Sequence, residues 1–194
     1  LMRLVYSIEE KKGASLLTGG FGCGKTLLIH TLMNKVLQGR YKFALVSNPL
    51  LSPREIVAEI LRKLGCHAPG TPDKVELHMR LVEALLNNMR NGQNTVVMID
   101  EAHVINNEES FEEIRMLLNY HNEGQFLLTL LLVGQPELVE KIKRNPALSQ
   151  RIAVRYVLGP LSKPEVFEYI KHRLAVSGSD GALFAPEAVS LIHK

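Results

Sequence analysis

The chain has 194 residues and a mass of 21.7 kDa, with 46% hydrophobic and 22% charged residues, which suits one α/β domain plus part of another and excludes a wholly disordered chain. Twenty-three basic against 20 acidic residues leave a formal charge of +3, too little for bulk charge alone to argue for nucleic acid. The longest charge-free apolar run, residues 124–136, is far shorter than the roughly 20 residues of a bilayer-spanning helix, so a soluble chain is expected.

Short β-type runs alternate with longer helical patterns, which predicts an α/β fold of three layers: a five-stranded parallel sheet with helices on both faces. In chain order the strands are predicted at 14–18, 43–47, 95–99, 126–133 and 152–158. All but the last are nearly continuous apolar runs, as expected of strands buried on both faces. A helix over 25–37 follows the first strand. Ser52, Pro53, Arg54 and Glu55 form a capping box with proline in the first turn, and Gly65 closes the helix. Within it Ile56, Val57, Ile60, Leu61 and Leu64 share the stripe that covers the sheet. The next helix is predicted to start at Thr71-Pro72 and to run to about Arg90, and another spans 136–144.

Ser162, Lys163, Pro164 and Glu165 repeat the capping box just after Gly159-Pro160, which places a boundary near Gly159. Residues 1–158 are then a core domain. Residues 159–194 hold one helix to about Val176, a Gly/Ser loop and a helix from Pro186 that Lys194 interrupts, the beginning of a small helical lid. With Leu1 ahead of the first Met, the chain reads as a segment trimmed at both ends.

Cys23 and Cys66 lack metal-type spacing, and the seven histidines include no H-E-x-x-H pattern, so neither a zinc site nor a disulfide scaffold is expected. A reducing, cytoplasmic setting follows, with no secretory leader in residues 1–10. Charge is unevenly placed. Residues 100–125 carry Asp100, Glu101, Glu108, Glu109, Glu112, Glu113 and Glu123 against Arg115, a net −6; residues 141–173 carry eight bases against Glu165 and Glu168, a net +6.

Residues 19–26, Gly-Gly-Phe-Gly-Cys-Gly-Lys-Thr, fit G-x-x-x-x-G-K-[ST] between a strand and a helix. Glycines there let consecutive backbone N–H groups face one anion, and the helix N-terminus adds its positive end. A nucleoside triphosphate, ATP, with Mg²⁺ is therefore expected, with contacts from Gly20, Phe21, Gly22, Cys23, Gly24, Lys25, Thr26 and Leu27. Lys25 is expected on the β- and γ-phosphates and the Thr26 hydroxyl on the metal. A dinucleotide fingerprint fails, because G-x-G-x-x-G needs its last glycine at Lys25 or Leu27. A helix N-terminus also lowers a thiol pKa, so Cys23 is a candidate for regulation.

The strand at 95–99 runs into Asp100 and Glu101, two carboxylates that project differently from a strand end. Asp100 is assigned to the metal and Glu101 to deprotonating the attacking water, which favours hydrolysis over transfer to a second substrate. Gln135, after the strand at 126–133, either touches the γ-phosphate or the water, or caps the helix opened by Pro136. Arg151 and Arg155 flank the start of the last strand; each is either an arginine finger toward a neighbouring subunit or part of a surface salt bridge. His103 either senses nucleotide or caps the next segment, and the second reading is preferred.

In this order the motifs resemble the AAA+ superfamily of ring-forming P-loop ATPases. Residues 46–52 (Val-Ser-Asn-Pro-Leu-Leu-Ser), 99–103 (Ile-Asp-Glu-Ala-His), 132–138 (Leu-Val-Gly-Gln-Pro-Glu-Leu) and 148–152 (Leu-Ser-Gln-Arg-Ile) resemble the ExeA-type or general secretion pathway protein A family, the last two blocks being more specific than the phosphate loop. The resemblance implies Asp100 and Glu101 as the Walker B pair, Gln135 at the sensor-1 position and Arg151 as the finger. It implies ATP and ADP as ligands and a homo-oligomer; in a ring, the charge distribution predicts that the acidic and basic blocks of neighbouring copies face each other. Secretion-machinery partners are implied by the nearest branch. The related TniB and MuB transposition helpers imply instead transposition partners and DNA. Cys23 departs from the small polar or alanine residue expected at its position.

Overall fold

The computed structural model describes residues 2–36, 39–66, 70, 72–179, 184 and 188. A short amphipathic helix, α1 (Met2–Glu9), leads into β1 (Ala14–Gly19) and α2 (Lys25–Thr31), which passes into a π-helical turn, Leu32–Val36. Next come β2 (Tyr41–Val46), α3 (Pro53–Lys63), α4 (Lys74–Arg90) and β3 (Asn94–Ile99), then a 3-10 turn, Ala102–Val104, and α5 (Glu108–Leu117). A two-residue hairpin, β4 (His121–Asn122) with β5 (Gln125–Phe126), precedes β6 (Leu128–Gly134), α6 (Glu137–Lys143), α7 (Pro146–Arg151), β7 (Ile152–Leu158) and α8 (Lys163–Val176).

The strand order is β2-β3-β6-β1-β7, and every pair is parallel. Side chains alternate between the two faces of such a sheet. Leu16, Val97, Ile99, Leu130 and Leu132 point into a core covered by α3 to α7. Leu17, Val96, Met98, Leu131 and Val133 point into a second core with Leu4 and Ile8 of α1 and Ile29 of α2. This is the three-layer arrangement expected from the sequence.

Several boundaries move, each for a local reason. The strand expected at 126–133 is divided, because Phe126 pairs back on His121 in the hairpin and only Leu128 onward joins the sheet. The edge strand β2 is half-buried at alternate positions rather than buried throughout, since it has β3 on one side only. The helix expected from Thr71 begins at Lys74, where the Asp73 carboxylate accepts the Glu76 N–H at 2.8 Å; Thr71 itself lies outside the described residues. The helix after the phosphate loop yields to the π-turn at Leu32, and Leu37 is not described. Ser52 does cap α3 reciprocally with Glu55, as its sequence predicts. Three helices went unread: α1, α5 and α7 are short, and α5 presents its acids in the same turns as its apolar residues.

The chain separates into two compact units, Leu1–Leu158 and Gly159–Lys194. In the second, α8 opens on the Ser162 capping box, with the Ser162 N–H donating to Glu165 at 2.7 Å. Of the helix expected from Pro186 only Ala188, which is helical, is among the described residues. No helix among the described residues is long and apolar enough to cross a membrane.

Within the first unit one carboxylate is wholly buried. Glu113 of α5 is 1% exposed and bridges to α4, with Lys74 Nζ 2.5 Å from one oxygen and His78 Nε2 2.6 Å from the other. The other ring nitrogen of His78 is hydrogen-bonded to the Tyr120 hydroxyl. Desolvating a carboxylate costs several kcal/mol, so Lys74 and His78 offset a penalty rather than add much net stability. Their effect is to fix how α5 sits against α4.

Burial, followed by the nearby Glu113 charge, pushes the Tyr120 phenol up to about 12. Between its ordinary value of about 10 and that value, the unfolded chain loses this proton while the folded chain keeps it, so stability falls as pH rises through this window. Urea unfolding at about pH 9 and about pH 11.5 is expected to show a loss of stability that is smaller in Tyr120→Phe. Equal losses in the two proteins would contradict the assignment.

Candidate functional site

All five strands end on the same side of the sheet, which collects the loops that follow them. After β1 the chain curls through Gly20–Thr26, with Gly22 and Gly24 at φ +76° and +88°, conformations open to glycine and costly for other residues. Gly24 is the residue from which α2 starts. Lys25 is only 6% exposed, and its ammonium donates to the carbonyls of Gly19 and Gly20, both at 2.9 Å. Neither is an anion. A buried ammonium with two neutral acceptors, at a helix start, is a site short of negative charge.

Asp100 follows β3 and is 5% exposed. Its Oδ2 accepts the Thr26 hydroxyl at 2.9 Å, and its Oδ1 accepts the Glu101 N–H at 2.9 Å. Thr26 and Asp100, 74 positions apart, thus bring a hydroxyl and a carboxylate together as oxygen ligands of the kind a hard cation prefers. Glu101 has φ +52°, its side chain is 43% exposed, and its Oε2 lies 3.6 Å from His103 Nε2.

Sheet register places Gln135 between these groups. Thr18 pairs with Gly134 and Ile99 with Leu132, so the residue after β6 comes level with Gly19 on one side and just beyond Glu101 on the other. At the start of α6 the N-cap is Pro136, and the Gln135 backbone carbonyl accepts the Leu138 N–H at 3.0 Å. Phe21 and Leu27 are exposed, at 93% and 62%, and Cys23 is a free thiol in the loop.

Arg151 is elsewhere. It ends α7 just before β7, and because Ile152 pairs with Ala14 and Leu158 with Gly19, it sits one strand length, roughly 20 Å, from the phosphate loop of its own chain. Its guanidinium donates to Asn119 Oδ1 at 2.6 Å and to the Arg115 carbonyl at 3.3 Å. Arg155 is tied to Ser149, through its carbonyl at 3.0 Å and its hydroxyl at 2.9 Å, and forms no salt bridge among the described residues. The charge blocks are in part internally satisfied. Arg115 hydrogen-bonds Glu112 and holds its carboxyl below the ordinary range, and Glu113 is buried against α4.

Sequence reasoning missed two glycines that shape the site. A Cβ on Gly134 would stand 2.9 Å from Leu138 Cδ2 and 3.1 Å from the His103 nitrogen, so the end of β6 closes directly on the turn behind Glu101. A Cβ on Gly19 would stand 2.4 Å from the Leu158 carbonyl oxygen. The first glycine of the loop motif therefore serves contact with β7. The Gly134-Gln135-Pro136 block was a visible signal for the former; nothing local signals the latter.

A parallel sheet whose β1 loop and β3 acids flank the end of β6 defines the P-loop nucleoside triphosphatase architecture. Within that class the chain belongs to the AAA domain family, whose model matches residues 8–142. General secretion pathway protein A of Aeromonas hydrophila is 34% identical over 203 residues, covering 100% of this chain and 36% of that protein. An uncharacterized HTH-type transcriptional regulator of Methanocaldococcus jannaschii is 24% identical over 207 residues, 100% of this chain and 49% of the relative. The chain thus spans less than half the length of either. Among solved structures, Cdc6p from Pyrobaculum aerophilum superposes with a TM-score of 0.75 at 18% identity, over 99% of this chain and 51% of that one. The Aeropyrum pernix ORC2 protein, in ADPNP–ADP complexes, does so at 0.73 and 19%, over 98% and 53%. Both share the fold.

Because the Gly19 Cβ would meet backbone rather than a movable side chain, Gly19→Ala is expected to force β1 and β7 apart and cost about 1–3 kcal/mol. Urea denaturation measures this, and an unchanged midpoint would refute the close contact.

Proposed function

We propose that the chain is an ATP-binding and ATP-hydrolysing AAA+ module of the ExeA type, which couples nucleotide state to the assembly of secretion-pathway partners. The observation that carries the reading is the buried Lys25 ammonium, which among the described residues has only the carbonyls of Gly19 and Gly20 as acceptors, set in a glycine cradle beside the Thr26–Asp100 pair. The 34% identity to general secretion pathway protein A supports the choice of process.

In this reading Gly20, Phe21, Gly22, Cys23, Gly24, Lys25, Thr26 and Leu27 form the nucleotide-contacting segment. The backbone N–H groups of the loop cradle the phosphates, and Lys25 exchanges its carbonyl partners for β- and γ-phosphate oxygens. Thr26 and Asp100 hold Mg²⁺, which supplies neutralisation of charge on the transferring phosphoryl group. Glu101 takes the proton of the attacking water, and Gln135 orients that water or the γ-phosphate from the intervening strand. Arg151 acts on the nucleotide of a neighbouring copy, for which its placement a strand length from its own loop is the support. Residues 1–158 make the ATPase core and 159–194 begin a helical lid. A homo-oligomer alternating between ATP and ADP states, on the cytoplasmic side where ATP is supplied, follows from these roles.

In the full-length protein, Lys25→Ala is expected to abolish binding of a fluorescent ATP analogue. Glu101→Gln is expected to keep that binding within about twofold while slowing hydrolysis on the order of 100-fold or more, the range of a lost general base. Unchanged turnover in Glu101→Gln would overturn the role given to that carboxylate, and unchanged binding in Lys25→Ala would overturn the nucleotide site.

A further inference from the structure

The 3-10 turn behind the paired acids is gripped on both sides of Gln135. One grip is Gly134, whose Cα lies so close to His103 that an added Cβ would stand 3.1 Å from its backbone nitrogen and 3.3 Å from its Nδ1. The other is Lys141 of α6. Its ammonium donates to the Ile105 carbonyl and to Asn106 Oδ1, both at 2.8 Å, and to the His103 carbonyl. An ammonium has three N–H donors, and all three are taken by this one segment. The carbonyls it reaches lie at the exit of a short helical turn, where the turn's own ladder leaves acceptors unmatched. Ala102 and Ile105 anchor the same segment in the core beneath, at 0% and 1% exposure.

Upstream of this turn, Glu101 is held at φ +52°, a left-handed conformation that L side chains rarely adopt. Such a conformation persists only where its surroundings over-determine it. The Glu101 carbonyl accepts the Val104 N–H at 2.9 Å, so the turn clamped by Lys141 is the same turn that sets the Glu101 backbone.

We propose that Lys141 is a positioning residue for hydrolysis: by clamping residues 103–106 to α6 it keeps Glu101 in its left-handed conformation and its carboxylate aimed at the attacking water. Because α6 starts immediately after Gln135 and Pro136, the clamp also makes the strand ends carrying Gln135 and Glu101 one mechanical unit. The proposal rests on the hydrolytic reading of Glu101. Lys141 acts through the turn it holds.

The test uses the full-length protein with Lys141→Met, which keeps most of the stem without donors, and Lys141→Arg, which restores them. Two measurements are made: hydrogen exchange of the Val104 and Ile105 amides, and kcat for ATP beside the Kd of a fluorescent ATP analogue. In Lys141→Met the two amides are expected to exchange at least tenfold faster, and kcat to fall at least tenfold with Kd within twofold. Lys141→Arg is expected to recover most of both losses. Exchange within twofold of wild type in Lys141→Met overturns the clamp whatever the turnover. Faster exchange with unchanged kcat overturns its part in hydrolysis, provided Glu101→Gln is slow. If Glu101→Gln is as fast as wild type, the role of Glu101 has failed instead, and with it the positioning role, while exchange still reports on the clamp itself.

Discussion

The pairing of β6 with β1 on one side and β3 on the other is the constraint from which the site follows. Parallel strands with matched register must end level with one another, so Thr18 opposite Gly134 and Ile99 opposite Leu132 bring three loops to one edge. The glycine loop, Gln135 and the Asp100-Glu101 pair are far apart in sequence, and no local contact would assemble them. Both cores serve this register. Leu130 and Leu132 face one layer of helices and Leu131 and Val133 the other, and a slip of one residue would exchange them.

Close backbone approach then converts the edge of the sheet into a rigid frame. Gly19 admits the Leu158 carbonyl, and Gly134 admits His103. These contacts leave little room for adjustment, whereas the charged groups are satisfied by exchangeable partners. Lys25 rests on two neutral carbonyls and the Thr26 hydroxyl on the Asp100 carboxylate; in the proposed function phosphate oxygens replace the former and a cation parts the latter. A stiff frame bearing provisional hydrogen bonds is suited to a loop that fills and empties.

Charge behaves differently in the fold than in composition. The net −6 and +6 blocks suggested surfaces awaiting each other, yet Glu113 is buried under Lys74 and His78, Arg115 takes Glu112, and Lys141 spends its donors on neutral oxygens of the acidic segment. Proximity within a chain neutralises charge first. What is left for partners is smaller than the block totals imply, and Arg151, held by neutral acceptors at 2.6 Å and 3.3 Å, retains its own charge.

The sequence by itself determined the layers, the five parallel strands, the phosphate loop and the family, because each is written in local signals: apolar runs, capping boxes, glycines at fixed spacing and the blocks at 132–138 and 148–152. It shows Asp100 and Glu101 as adjacent acids, but not that one is buried on Thr26 while the other is half-exposed at a left-handed backbone. It could not find α5, whose buried Glu113 breaks the apolar stripe, nor divide 126–133 into a hairpin arm and a strand, since both halves are equally apolar. Only the tertiary structure decided that Gly19 is a contact for β7, that Gln135 comes level with both sides of the site, and that Lys141 reaches the turn behind Glu101. These depend on register between strands and on backbone approach between distant segments, properties that periodicity within one segment does not encode.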